Sequence, residues 1–107
     1  MKNLANMMKQ AQEMQAKMGE LQARLEAAEV TGAAGGGLVR VTATGKGALR
    51  RVSIDPSLLK PEDAGVIEDL IVAAANDARS KAETMMQEET QKLLGGLQLP
   101  PGMKLPF

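Results

Sequence analysis

Between Val30 and Asp55 the chain reads VTGAAGGGLVRVTATGKGALRRVSID, and nowhere else does it alternate with the period of a strand. Val39, Val41 and Ala43 point to one side, while Leu38, Arg40, Thr42 and Thr44 point to the other. A second run from Leu49 to Ile54 puts Val52 and Ile54 on one face and Arg51 and Ser53 on the opposite one. Gly35-Gly36-Gly37 sets off a shorter run around Val30–Ala33, and Gly45-Lys46-Gly47 divides the other two. The pattern predicts a three-stranded antiparallel meander with tight turns.

Helical periodicity flanks this meander on both sides. Leu4, Met7, Ala11, Met14, Met18, Leu21, Leu25 and Ala28 alternate spacings of three and four, an a/d seam over four heptads that predicts a helix over 2–29. Such a helix is about 42 Å long, at 1.5 Å per residue, so part of it must project beyond a small sheet. After Asp55-Pro56-Ser57, a second helix is predicted over 61–94. Pro61 suits its first turn, Glu62 and Asp63 suit its dipole, and Gly95-Gly96 ends it. Its apolar stripe is Ile67, Leu70, Ile71, Ala74, Ala78, Ala82 and Met85, small enough in the middle for close approach. Residues 95–107 form a Pro- and Gly-rich tail that cannot be helical; it is either frayed or an arm docked by Leu99, Met103, Leu105 and Phe107. The expected fold is a single α+β domain, helix–sheet–helix.

At 107 residues with one Phe, no Tyr and no Trp, the core must be built from aliphatic side chains and Met. Three short strands with two open edges are poorly stable alone, so a homodimer built on Val30–Asp55 is expected. With neither Cys nor His, the usual thiolate, zinc ligand and general base are all missing. The glycine loops lead into strands, and Gly37 is followed by Leu38-Val39 where a phosphate loop needs Lys and Ser or Thr. They read as hairpin turns. No enzyme site, cofactor, metal or small-molecule substrate is expected. No signal-type or membrane-spanning run is visible, which reads as a cytoplasmic protein with no membrane partner.

Thirteen basic and thirteen acidic residues cancel, a balance that does not point to nucleic acid. The helices carry acid–base pairs four apart, Glu13–Lys17, Glu20–Arg24, Asp77–Lys81 and Glu88–Lys92, which read as solvated faces. Subtracting them leaves Lys2, Lys9, Arg40, Lys46, Arg50 and Arg51. The stretch 30–55 alone carries +3, and no acid precedes Glu13. Lys2 and Lys9 reinforce the positive end of a helix and can hold phosphate, with Asn3, Asn6, Gln10 and Gln12 as added donors. From the residues alone, two lysines that merely solubilise a helix tip are the plainer reading. A protein-interaction module using the Met-rich helix or the Pro-rich tail is the alternative.

The runs VTGAAGGGLVRVTATGKGALRRVSIDPSLL and EDLIVAAANDARSKAETMMQEE, with the opening MKNLANMMKQAQEMQAKM and the ending GGLQLPPGMKLPF, closely resemble the YbaB/EbfC family of bacterial nucleoid-associated proteins. The resemblance spans essentially the whole chain. It implies a tweezer-like homodimer joined largely through the sheets, binding double-stranded DNA with little or loose sequence preference, in the nucleoid. It implies roles in gene expression, nucleoid organisation or DNA repair. Contacts on the protruding helices would fall to Lys2, Lys9, Lys17 and Arg24, with Arg79 and Lys81 as lesser candidates. Arg40, Lys46, Arg50 and Arg51 on the sheet complete the candidate set.

Overall fold

A first helix, α1 (Lys2–Ala27), leads into strands β1 (Glu29–Ala34), β2 (Val39–Thr44) and β3 (Leu49–Ile54), followed by α2 (Ala64–Gly95). This computed structural model describes residues 2–95, Lys2 by its backbone alone. The expected arm of Leu99, Met103, Leu105 and Phe107 lies outside the described residues. The architecture is the α+β helix–sheet–helix predicted above, in an elongated molecule of 72 × 26 × 15 Å. Helix α1 stops at Ala27, because Glu29 already pairs with Thr44 as the first residue of the sheet.

Strand order is β1-β2-β3, antiparallel throughout. The turn between β1 and β2 holds Gly35, Gly36 and Gly37 all at positive φ, a path that side chains with a Cβ resist. The turn after β2 is fixed by Thr44, whose Oγ1 accepts hydrogen bonds from the N–H groups of Lys46 and Ala48, both at 3.2 Å. That local demand buries Thr44, the one buried polar side chain among the described residues. In β3, the pairing skips a residue opposite Thr42 and Ala43, a bulge that includes Arg50.

The alternation in β2 works as its sequence predicts. Val39, Val41 and Ala43 are fully buried against Ala74 and Ala78 of α2, with Ile67, Leu70 and Ile71 packed around them. Gly32 of β1 shows how close that approach is: a Cβ there would fall on Ala74 O and Ala78 N. Small residues on both surfaces therefore let the helix backbone rest almost on the strand. Leu58, in the 3-10 turn Pro56–Leu58, closes one end of this core.

Helix α2 lies over β1 and β2 and scarcely reaches β3. Val52, paired with Val41 and on the same face of the sheet, is consequently 47 % exposed, and Leu49 is 52 % exposed. The opposite asymmetry holds at the far edge. Asp77 accepts a hydrogen bond from the Ala33 N–H at 3.1 Å, and Lys81 Nζ donates to Thr31 O at 2.9 Å. These side chains occupy two of the outward-facing backbone groups of β1. The two edges expected to be open are therefore unequal, because α2 side chains partly occupy the β1 side while β3 stays open.

Helix α1 has only its last two turns in the body. Leu21 and Leu25 are buried, and Gly45 N donates to Leu25 O at 2.9 Å, tying the helix end to the turn after β2. From Leu4 to Met18 the seam is largely uncovered. The sequence of Ala, Leu, Met, Gln, Lys and Glu keeps that stretch helical through intrinsic preference rather than through packing.

Candidate nucleic-acid interface

Projection of α1 places Lys9 on an exposed helix surface with no acid on any preceding residue. Lys17 sits further down, half-buried in the wall of a groove formed with Glu20, Leu21, Arg24 and Glu89. Neither lysine makes an ion pair among the described residues; the same is true of Arg40 and Arg79. The side chain of Lys2 lies outside the description, but its backbone opens the helix that carries Lys9. The wall of a second cavity, about 510 Å³ between the β2–β3 turn and α2, brings together Lys46, Arg79, Asn76, Ser80 and Glu83.

Actual ion pairing corrects the sequence reading in a consistent way. Arg24 Nη1 donates to Glu89 Oε2 at 2.8 Å, across 65 residues, rather than to its neighbour Glu20. Lys92 lies 3.7 Å from the same Glu89 rather than by Glu88. Glu13 and Lys17 do not pair. Of the four local pairs expected, only Asp77–Lys81 forms, at 3.3 Å, and Lys81 shares its ammonium with β1. Lesser candidate Lys81 is thus held by the fold.

The strand-borne cations, read as unpaired, are engaged. Lys46 Nζ meets Glu26 at 3.0 Å, while Arg50 meets Glu29 at 3.5 Å and donates to the Glu26 carbonyl at 2.6 Å. Arg51 meets Glu29 at 3.3 Å. Glu26 and Glu29 stand just before the stretch counted as +3, and including them reduces it to +1. Among the described residues, only Arg40 of the sheet set has no hydrogen-bond or ion-pair partner for its guanidinium. It projects from the face of β2 opposite α2, beside Thr42 and level with Ser53 of β3.

Glu26, Glu29 and Glu89 thus govern the electrostatics of the candidate set, and sequence reasoning missed all three. The available signal was weak: an acid at the end of a helix and another at the start of a strand, each beside a turn that reverses the chain. These pairs are solvent-exposed on at least one partner and contribute about 0.2–1 kcal/mol each. Their importance lies in which cations they occupy. Asp77 is held below its ordinary carboxyl value first by the Ala33 N–H and then by Lys81; Asp55 is lowered by hydrogen bonds from Ser57.

Among the described residues, no group of three or more acidic, His or Cys side chains could hold a metal ion. None of the described helices is long and apolar enough to cross a membrane. What the fold presents is a small α+β body from which long, cation-bearing helices extend.

That class has a family. Residues 1–97 match the YbaB/EbfC DNA-binding family, and the chain belongs to it. It is 64% identical to a nucleoid-associated protein of Granulibacter bethesdensis and 59% identical to one of Rhodospirillum centenum, each over the full length of both chains. A solved structure of an uncharacterized protein from Helicobacter pylori superposes with a TM-score of 0.75 at 26% identity. The match covers 85% of this chain and 96% of that one.

Proposed function

We propose that this protein binds double-stranded DNA as a homodimer, with little sequence preference, and acts in the bacterial nucleoid. Family membership supports DNA as the partner. The observation that carries the contact site is the projecting half of α1, where Lys9 stands unengaged while most sheet cations are neutralised by Glu26 and Glu29. Phosphate contacts from a helix tip carry no sequence information, so affinity is broad and electrostatic. A zero net charge confines that attraction to local clusters, and a dimer doubles each of them.

The dimer is read from the sheet. Strand β3 has an open edge with Leu49 and Val52 beside it, and α2 leaves this flank uncovered. Joining two chains there would bury apolar surface that the protomer cannot cover itself. The influence on gene expression, nucleoid architecture or DNA repair then follows from coating and bridging DNA.

The test is binding of several unrelated duplexes across a salt series, in the wild type and in a Lys2→Gln/Lys9→Gln double variant. Each phosphate-neutralising lysine contributes about 0.9 to the slope of log affinity against log salt, so four lysines per dimer flatten it by up to about 3.6. Equal weakening on all duplexes, with dimerisation intact, supports the tip. Unchanged binding in that variant, with loss on Arg40→Gln, moves the site to the sheet face. If no duplex binds in a salt-sensitive manner, the DNA reading fails, and the exposed Leu4–Met18 seam favours a protein partner instead.

A further inference from the structure

Leu4, Met7 and Met18 are 58, 63 and 39 % exposed, and with Ala11 and Met14 they form one line along the free half of α1. Met8 widens it on one side. No described element covers this line. A continuous apolar stripe on a projecting helix calls for an occupant.

Where α2 ends identifies one. Helix α2 passes the turn at Gly45 with residues 76–86, the level at which Leu25 of α1 is anchored. It then runs back along α1, so that Glu89 and Leu93 share a groove with Lys17, Leu21 and Arg24. The two helices are antiparallel, and α2 delivers the chain at Gly95 beside the Lys17 level of α1. The bare stripe lies directly ahead.

Twelve residues follow, GLQLPPGMKLPF, with apolar side chains at Leu97, Leu99, Met103, Leu105 and Phe107. The distance from Lys17 to Leu4 is about 20 Å along a helix. Twelve residues in polyproline geometry reach about 37 Å, at 3.1 Å each. Reach is therefore ample. At that rise Leu97 falls level with Met14, and Leu99 with the turn between Met8 and Ala11. Pro100-Pro101 stiffen the next stretch, reducing the entropy lost on docking. We propose that residues 97–101 lie along the Leu4–Met18 stripe of their own chain, carrying the residues after them past the end of α1 that bears Lys9.

The chain contains no cysteine, so a disulfide trap has a clean background. Ala11→Cys/Leu99→Cys in the full chain is expected to close an intrachain disulfide under mild oxidation. The control pair Ser57→Cys/Leu99→Cys, at the opposite end of the molecule, is expected to stay reduced. In parallel, peroxide oxidation of Met7 and Met14 is followed by peptide mass analysis, with Met86 of α2 as the internal reference. Both methionines are expected to oxidise severalfold more slowly in the wild type than in full-length Leu97→Asp/Leu99→Asp. Trapping no better than the control, trapping only between chains, or equal oxidation rates in the two proteins would each overturn the proposal.

Discussion

Val41 and Val52 face each other across β2 and β3 and point to the same side of the sheet, yet they answer different questions. Val41 is fully buried by α2; Val52 is 47 % exposed. A charge at Val41 is expected to unfold the protomer, since it enters a core with no polar partner. Replacing Val52 by Ser is expected to leave the protomer folded and to weaken dimerisation. Complete burial of a valine-sized side chain is worth about 1.5 kcal/mol. Roughly half of that remains available in the protomer, about 0.7 kcal/mol for each copy and about 1.4 kcal/mol for a symmetric pair. The dimer dissociation constant should therefore rise about tenfold. Val52→Lys should raise it further, by forcing two like charges into the joint. Sedimentation over a concentration series reads the constant, and far-ultraviolet dichroism confirms the retained helices. An unchanged constant in Val52→Lys would refute placement of the joint along β3.

Gly32→Ala should lower stability by about 3 kcal/mol or more, because the new methyl meets helix backbone rather than a movable side chain; urea unfolding measures it. Gly19→Ala sits in open space within α1 and should gain about 0.5–1 kcal/mol of helix stability, seen as slower amide exchange in residues around it. Asp77 has a folded pKa below its ordinary 3.8, so its stabilisation is complete above that value and is lost as pH falls through and below it. Asp77→Asn should flatten the decline of the urea midpoint below about pH 4, whereas an unaltered decline would assign it to other carboxylates such as Asp55.

The features legible in the sequence were those set by neighbours along the chain. The period-two alternation of β2 reports which side chains meet α2, and the Ile67–Met85 stripe reports which face α2 turns inward. Both depend on a few consecutive residues and on the geometry of one element. Ion pairing did not yield to the same reasoning. Arg24 has Glu20 four residues back, yet its partner is Glu89, because the returning helix presents a largely buried carboxylate within reach. The same blindness hid Glu26 and Glu29 from Lys46, Arg50 and Arg51. Their spacing predicts that Asp77 and Lys81 pair on a solvated helix face. They do meet, but their larger role is to satisfy the backbone of β1, which only the placement of α2 over the sheet reveals. The exposure of Val52 has a similar origin: its own strand predicts an inward face, and the width of one helix decides that nothing lies there.

The unequal edges of the sheet also limit how far association can run. A strand with both sides open can accept a neighbour on each, and identical copies can then add without end, which is the geometry of a fibre. Here Asp77 and Lys81 occupy part of the outer backbone of β1, leaving β3 as the more open side among the described residues. If a second copy joins at β3 as proposed, the β1 side of each chain, partly occupied by α2, offers a poorer place to extend. In the proposed dimer the sheet would count to two and stop, and it would do so by means of two side chains on a helix rather than by any property of the strands themselves.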